Sequence, residues 1–275
     1  MTCFRTRDYI PRVDARRRNS GLSTGDVLTP GETEFRPASP VEKDVLMAKR
    51  CFDIVLSSIG ILLAGPAILA LAAIVKLTSP GPVLYCGVRV GRHNKPFRIM
   101  KFRSMVVNAE KLGAASTAGH DPRITKIGHF MRKYKLDELP QLFNVWLGTM
   151  SFVGPRPEVQ KFVDMYTDEE KIILNMRPGI TDWASIWNSD EGHVLDGAPD
   201  ADAAYAELIR PTKLQLQMKY AREHSVWTDM KIIFYTFAKL TQKGWLPPEI
   251  RHFGHPQTYK EKYGDQPATE VRRAA

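Results

Sequence analysis

The sequence predicts an α+β chain: a monotopic membrane protein with a re-entrant helix-break-helix hairpin, amphipathic interfacial helices and a small β-hairpin. Three observations carry that prediction. From Ile54 to Val75 no residue is charged, and Gly65-Pro66 stands in the middle. After a turn cluster at 78–82, two β-rich runs flank a basic connection that contains glycine. Further on, basic and aromatic residues share apolar-periodic segments at 127–135 and 212–243, the pattern of helices lying at a membrane surface. The bulk composition is that of a folded chain, with 275 residues, 43% of them hydrophobic and 25% charged. A net charge of +9 calls for an anionic partner: nucleic acid, an anionic membrane face or phosphorylated substrates. The cysteines (Cys3, Cys51, Cys86) share no C-x-x-C spacing and offer no zinc site.

Taken in order, residues 1–40 read as a disordered basic tail, with Arg16-Arg17-Arg18 followed by Ser-, Thr-, Gly- and Pro-rich sequence. The uncharged stretch, centred in a helix of about 46–77, would be about 33 Å long if straight, enough to cross a bilayer core. Proline in its middle removes a backbone hydrogen bond and bends the helix. Lys49 and Arg50 precede it and Lys76, Arg89, Arg92 and Lys95 follow it, and basic flanks tend to stay on the cytoplasmic side. A helix that enters one leaflet and returns, broken at Gly65 and Pro66, satisfies both facts. A straight span and a buried soluble helix are the competing readings.

The β-rich runs are 82–86 and 96–105, and the connection between them carries Arg89. Arg89 is a phosphate-binding candidate. So is Lys101, set between apolar neighbours and near other cations, whereas exposed strand charge is the plainer explanation for Arg98. Residues 106–120 read as a short helix and a small-residue loop. The basic segment 127–135, which includes Arg132, then leads into Lys135-Leu-Asp137-Glu138-Leu-Pro140-Gln141-Leu-Phe-Asn144. Leu136, Leu139, Leu142, Phe143 and Trp146 recur at helical spacing, which puts Asp137 and Glu138 at or near a helix start with Pro140 in the first turn. Capping and dipole compensation would explain the two carboxylates. So would a nucleophile and its helper facing phosphate held by nearby cations. In 154–158 two prolines lock the backbone around Arg156. Asp182, Trp183 and Trp187 form a possible specificity loop whose rings could stack on a base or sugar, core filling being the plainer role. Residues 189–210 read as an acidic, solvated insertion. A long amphipathic helix follows, with continuity doubtful at 225–228, and 246–275 reads as a polar C-terminal tail.

These pieces, over about 41–243, resemble the bacterial sugar transferase family, the monotopic phosphoglycosyl transferases. The motifs that carry the resemblance are Lys49-Arg-Cys-Phe-Asp53, Gly65-Pro66, Lys101-Phe-Arg-Ser-Met105, Leu136-Asp-Glu-Leu-Pro-Gln-Leu-Phe-Asn-Val145, Met150-Ser-Phe-Val-Gly-Pro-Arg-Pro157 and Arg177-Pro-Gly-Ile-Thr181. The resemblance implies transfer of a phosphosugar from a UDP-sugar to polyprenyl (undecaprenyl) phosphate, with release of UMP. The product is a polyprenyl diphosphate-sugar, made in the first membrane step of a bacterial polysaccharide or glycoconjugate pathway such as exopolysaccharide biosynthesis. It implies Asp137 as the covalent nucleophile and Mg²⁺ contact, Glu138 as its partner, and Lys101, Arg132 and Arg156 around the phosphates. It places the protein at the cytoplasmic face of the inner membrane, with lipids and not nucleic acid as partners. It also implies a compact form without a preceding transmembrane bundle. One departure stands out: Asp182-Trp-Ala-Ser-Ile-Trp187 replaces the family's usual Gly-Trp-Ala-Gln-Val-Asn. Two other functions compete. A basic nucleic-acid binder leaves the uncharged stretch unexplained and lacks any familiar motif; a non-catalytic membrane scaffold predicts no turnover.

Overall fold

A computed structural model describes residues 40–242 and 244–264; the basic tail expected before residue 40 and the stretch 265–275 lie outside the described residues. Helix α1 (Pro40–Thr78) runs through the whole uncharged stretch with Pro66 inside it. Gly65 and Pro66 therefore do not end the helix, and the expected helix-break-helix is one continuous helix. The physical reason is local: an interior proline removes one backbone bond while the turns on either side keep theirs. Asp53, Ser57, Leu71 and Val75 share its buried face, whereas Val55, Leu62, Leu63, Leu69 and Leu77 are exposed. Positions four and fourteen apart recur on one side of a 3.6-residue helix. The segment Met47–Thr78 is long and apolar enough to cross a membrane, with mean hydropathy 2.4, yet only 11% of its apolar window is buried by protein. A helix in a soluble core would be covered, so that reading does not fit.

Strands β1 (Leu84–Val90) and β2 (Pro96–Phe102) form the expected antiparallel hairpin, pairing Tyr85 with Lys101 and Arg89 with Phe97. Arg89 thus lies within a strand and not in the connection. Helix α2 (Lys126–Lys133) is N-capped by Thr125. Lys135 then adopts a left-handed backbone, φ 57°, and turns the chain into a 3₁₀ turn at Leu136–Glu138. Helix α3 (Gln141–Leu147) begins after Pro140, which is its N-cap and not part of its first turn, so Asp137 and Glu138 lie near the helix start, just ahead of it. A second, parallel pair went unforeseen: β3 (Ser151–Val153) beside β4 (Gly179–Thr181). Three-residue strands leave too short an alternation to read. Gly154 lets the two approach, since a Cβ there would sit 2.2 Å from the Arg177 carbonyl oxygen.

The remaining helices are α4 (Gln160–Val163), α5 (Trp183–Trp187), α6 (Glu191–Val194), α7 (Ala201–Ala204), α8 (Arg210–Glu223), α9 (Val226–Thr241) and α10 (Tyr259–Tyr263). The doubtful continuity is a real break, where Ser225 caps α9 by accepting from Thr228 N–H. The acidic segment is packed and not a solvated insertion. Asp190 and Asp200 cap α6 and α7, Asp202 accepts from the backbone of Ser116, and Val194, Leu195, Tyr205 and Ile209 are buried. Residues 246–264 also depart from a tail, because Leu246, Ile250 and Tyr259 enter the main core with Trp183, Trp187 and Tyr220.

Helix α1 and the globular part are joined by buried polar contacts. Lys49 Nζ pairs with Asp229 and donates to the Val153 carbonyl at 3.0 Å, while Asp53 Oδ1 accepts from Ser151 Oγ and Phe152 N–H. Arg50 donates to the carbonyls of Val145 and Trp146, capping the end of α3. Further along α1, Leu71 and Val75 pack with Phe102 and Met131.

Candidate active site

Four chain segments meet at Asp137 and Glu138: α2, β2, the 3₁₀ turn and the Pro155-Arg156-Pro157 segment. Glu138 is held from two sides. Its carboxylate accepts from Lys101 Nζ at 2.7 Å and from both terminal nitrogens of Arg156, one at 3.2 Å. Arg156 bridges both carboxylate oxygens in the two-pronged geometry that makes guanidinium–carboxylate pairs directional. Desolvation works against the Glu138 carboxylate, but Arg156 and Lys101 more than offset it and hold its pKa well below the usual carboxylate range. Arg156 is correspondingly raised, chiefly by Glu138.

Asp137 is different in kind. It is 6% exposed and accepts no hydrogen bond among the described residues. Burial raises its pKa above the ordinary aspartate value, and the neighbouring Glu138 charge raises it further; Lys101, Arg132 and Lys135 pull it back down. Arg132 Nη1 is buried and likewise unpartnered. A buried guanidinium nitrogen without a partner is costly unless a ligand completes it, and its charge acts on the Asp137 carboxylate, which also lacks a hydrogen-bonding partner among the described residues. A phosphorylated ligand, anionic and rich in acceptors, would satisfy Arg132 directly and, through a cation, Asp137. Where Asp137 must be ionised for activity, turnover should fall on acidification at a pH above the range of a free aspartate. A pH–rate profile checks this, the expected sign being an acid limb moved upward.

Asn144 sets the spacing of the two halves. Its Oδ1 accepts from Met100 N–H at 2.8 Å and its Nδ2 donates to the Arg98 carbonyl at 2.8 Å. The amide therefore pairs with the open edge of β2 as a third strand would, fixing Lys101 against the turn that carries Glu138. Asn144→Ala should cost about 2 kcal/mol, read by denaturant unfolding, because a buried N–H and C=O lose their partners. The sequence marks Asn144 only by an amide on the apolar face of a short helix, where it weakens the helix unless paired elsewhere.

The expected residues divide. Asp137, Glu138, Lys101, Arg132 and Arg156 are brought together. Arg89 is not among the charges that bear most on Asp137 or Glu138; its guanidinium donates to its neighbour's carbonyl and its charge acts on Tyr85 and Glu158. Trp183 and Trp187 are 2% and 3% exposed core residues, so their rings have no free face for a base or sugar. Asp182 is structural as well. It caps α5 through Ser185 N–H and accepts from Arg156 N–H at 3.1 Å and from Gln217 Nε2. It thereby holds the backbone that presents Arg156. Ring size and hydrophobicity suit a core and a stacking platform equally, which is why composition could not separate the two.

The sequence model for bacterial sugar transferases matches residues 45–243. The chain belongs to the bacterial sugar transferase family. Over 191 residues it is 41% identical to a UDP-N-acetylgalactosamine-undecaprenyl-phosphate N-acetylgalactosaminephosphotransferase of Aeromonas hydrophila, covering 68% of this chain and 42% of that protein. It is 38% identical over 202 residues to the UDP-glucose:undecaprenyl-phosphate glucose-1-phosphate transferase of Escherichia coli strain K12, covering 70% and 40%. The exopolysaccharide production protein ExoY of Rhizobium meliloti is 32% identical over 205 residues, covering 69% of this chain and 84% of that protein. The chain thus spans about two fifths of the length of the first two relatives and most of the third. All five residues gathered at the site lie inside the sugar transferase match.

Proposed function

We propose that this sugar transferase moves a phosphosugar from a UDP-sugar to undecaprenyl phosphate, with Asp137 as the covalent carrier. The observation that carries the proposal is the contrast within the dyad: Glu138 is fully engaged by Lys101 and Arg156, while Asp137 is buried and unpartnered beside Arg132. In the first step an Asp137 oxygen attacks the phosphorus next to the sugar. The bond between the two phosphates breaks, and UMP leaves with its electron pair. In the second step an oxygen of undecaprenyl phosphate attacks the same phosphorus and Asp137 is regenerated. Splitting the transfer lets two bulky substrates use one site in turn. Fixed cations make attack by an anion on an anion feasible and follow charge onto the leaving group. Arg132 is free to bind phosphate, and Glu138 keeps Lys101 and Arg156 oriented toward it.

Asp137 fits a Mg²⁺ ion, which commonly takes one or two carboxylates and completes its shell with substrate phosphates and water. No group of three or more His, Cys, Asp or Glu gathers among the described residues, so the diphosphate would supply the other ligands. Bound there, the ion would offset charge on the phosphates.

The bilayer supplies the second substrate. α1 touches the globular part near both ends, at Lys49–Asp53 and at Leu71–Val75. A domain that holds both ends favours a helix that dips into the cytoplasmic leaflet of the inner membrane and returns, bending at Pro66, over a straight crossing. On α9, Trp227, Met230, Phe234 and Phe237 are exposed along one side, the pattern of a helix resting in the headgroup region. Detergent-solubilised protein given a panel of UDP-sugars with undecaprenyl phosphate should release UMP with one or few of them. EDTA should stop the release and Mg²⁺ restore it. No UMP with any sugar, from protein that remains folded, would favour a non-catalytic scaffold.

A further inference from the structure

Away from Asp137, at the end where α1 leaves the globular part, a second group of cations gathers. Arg50 lies one turn before Asp53, just ahead of the uncharged stretch. Arg177 Nη1 stands 3.9 Å from Asp53 Oδ2, which is buried and accepts no hydrogen bond. Arg177 itself makes no hydrogen bond among the described residues, although only 27% of its side chain is exposed. Arg92, after β1, donates from Nε to the carbonyl of Asn175, two residues before Arg177, at 2.8 Å. The charges of Arg50 and Arg92 both act on Arg177. Arg92 and Arg177 are thus neighbours through the segment 175–177, and Asp53 is the carboxylate nearest Arg177. Ile54 and Val55, one turn after Arg50 on α1, are exposed, as are Trp146 and Leu147 at the end of α3, where Arg50 binds the Trp146 carbonyl. Cations beside an exposed tryptophan and aliphatic side chains form the layered chemistry of a bilayer surface.

We propose that Arg92 and Arg177, with Arg50 behind them, bind the phosphate of an anionic phospholipid headgroup where α1 enters the bilayer. Trp146, Leu147, Ile54 and Val55 lie against that lipid's acyl chains. The inference rests on the membrane placement of α1 and is independent of the sugar-transfer chemistry, because the charges that bear on Asp137 are Lys101, Glu138, Arg132 and Lys135. The guanidiniums favour a diester phosphate because it is a compact anion with several acceptors. A lipid is chosen over free phosphate because the apolar rim has no use for the latter.

Native mass spectrometry of the delipidated full chain in detergent, with added phosphatidylglycerol or phosphatidylcholine, tests this. The wild type should retain phosphatidylglycerol over phosphatidylcholine by at least tenfold. In Arg92→Gln/Arg177→Gln retention should drop about 30-fold, the factor two membrane-facing cations are worth together. Arg92→Gln alone removes a side chain that, among the described residues, bonds one carbonyl, so it should fold and lose part of the preference. Lys111→Gln, an exposed cation on another part of the surface, should change nothing. Equal retention of the two lipids, or undiminished phosphatidylglycerol binding by folded Arg92→Gln, would overturn the proposal. Displacement of the lipid by low inorganic phosphate would overturn it too, assigning the site to a free anion. UMP release measured in the same micelles reads the transfer chemistry separately.

Discussion

Asp137→Asn should lose at least a thousandfold in UMP release and gain stability. The amide keeps the shape of the carboxylate but is no nucleophile toward phosphorus, and removing a covalent nucleophile typically removes most of the rate enhancement. The stability gain follows from the sign of the pKa shift. Burial raises Asp137 above its ordinary value, so the native state prefers the protonated form. That preference contributes stability at low pH and is lost as pH rises through the folded pKa, leaving a destabilising charge at neutrality. A neutral amide lifts that cost by about 1 kcal/mol, the usual scale of a function-for-stability exchange. Thermal unfolding at pH 7 reads the gain; at a pH low enough to protonate the wild type the difference should shrink. Wild-type protein given UDP-sugar without acceptor should carry the phosphosugar mass on the Asp137 peptide. Retained turnover by the variant would remove the covalent route.

Glu138→Gln should do the opposite to stability. Its carboxylate is the shared anion of Lys101 and Arg156, and without it two cations face each other across the turn. Removing one partner of a buried pair costs about 3–5 kcal/mol, but the Arg156 side chain is 31% exposed, so water screens part and about 2 kcal/mol is expected. UMP release should fall about a hundredfold or more, since the two side chains lose the anion that aims them. Denaturant unfolding and steady-state kinetics on the same preparation separate the two effects. The two carboxylates differ because Lys101 and Arg156 donate hydrogen bonds to Glu138 and not to Asp137.

Much of the site was readable from residue order. The β-hairpin with Lys101, the basic approach through Arg132, the dyad at 137–138 and the proline-locked Arg156 are local patterns, each within one short segment. What misled was local ambiguity. Trp183 and Trp187 carry no mark that distinguishes a core ring from a stacking ring, and the acids of 189–210 do not reveal that they cap helices. Pro66 announces a lost hydrogen bond, not whether the helix stops.

Residue types and spacings were enough to establish the family, the uncharged helix and the cluster of opposite charges, because chemistry and periodicity reside in the chain itself. Tertiary packing decided which charges pair with one another. Only contacts between distant segments, Arg156 on Glu138 across 18 residues and Asn144 on β2 across 44 and 46, leave Asp137 as the carboxylate without a partner. Partnership in a folded protein depends on distance in space, and spacing along the chain carries no record of it.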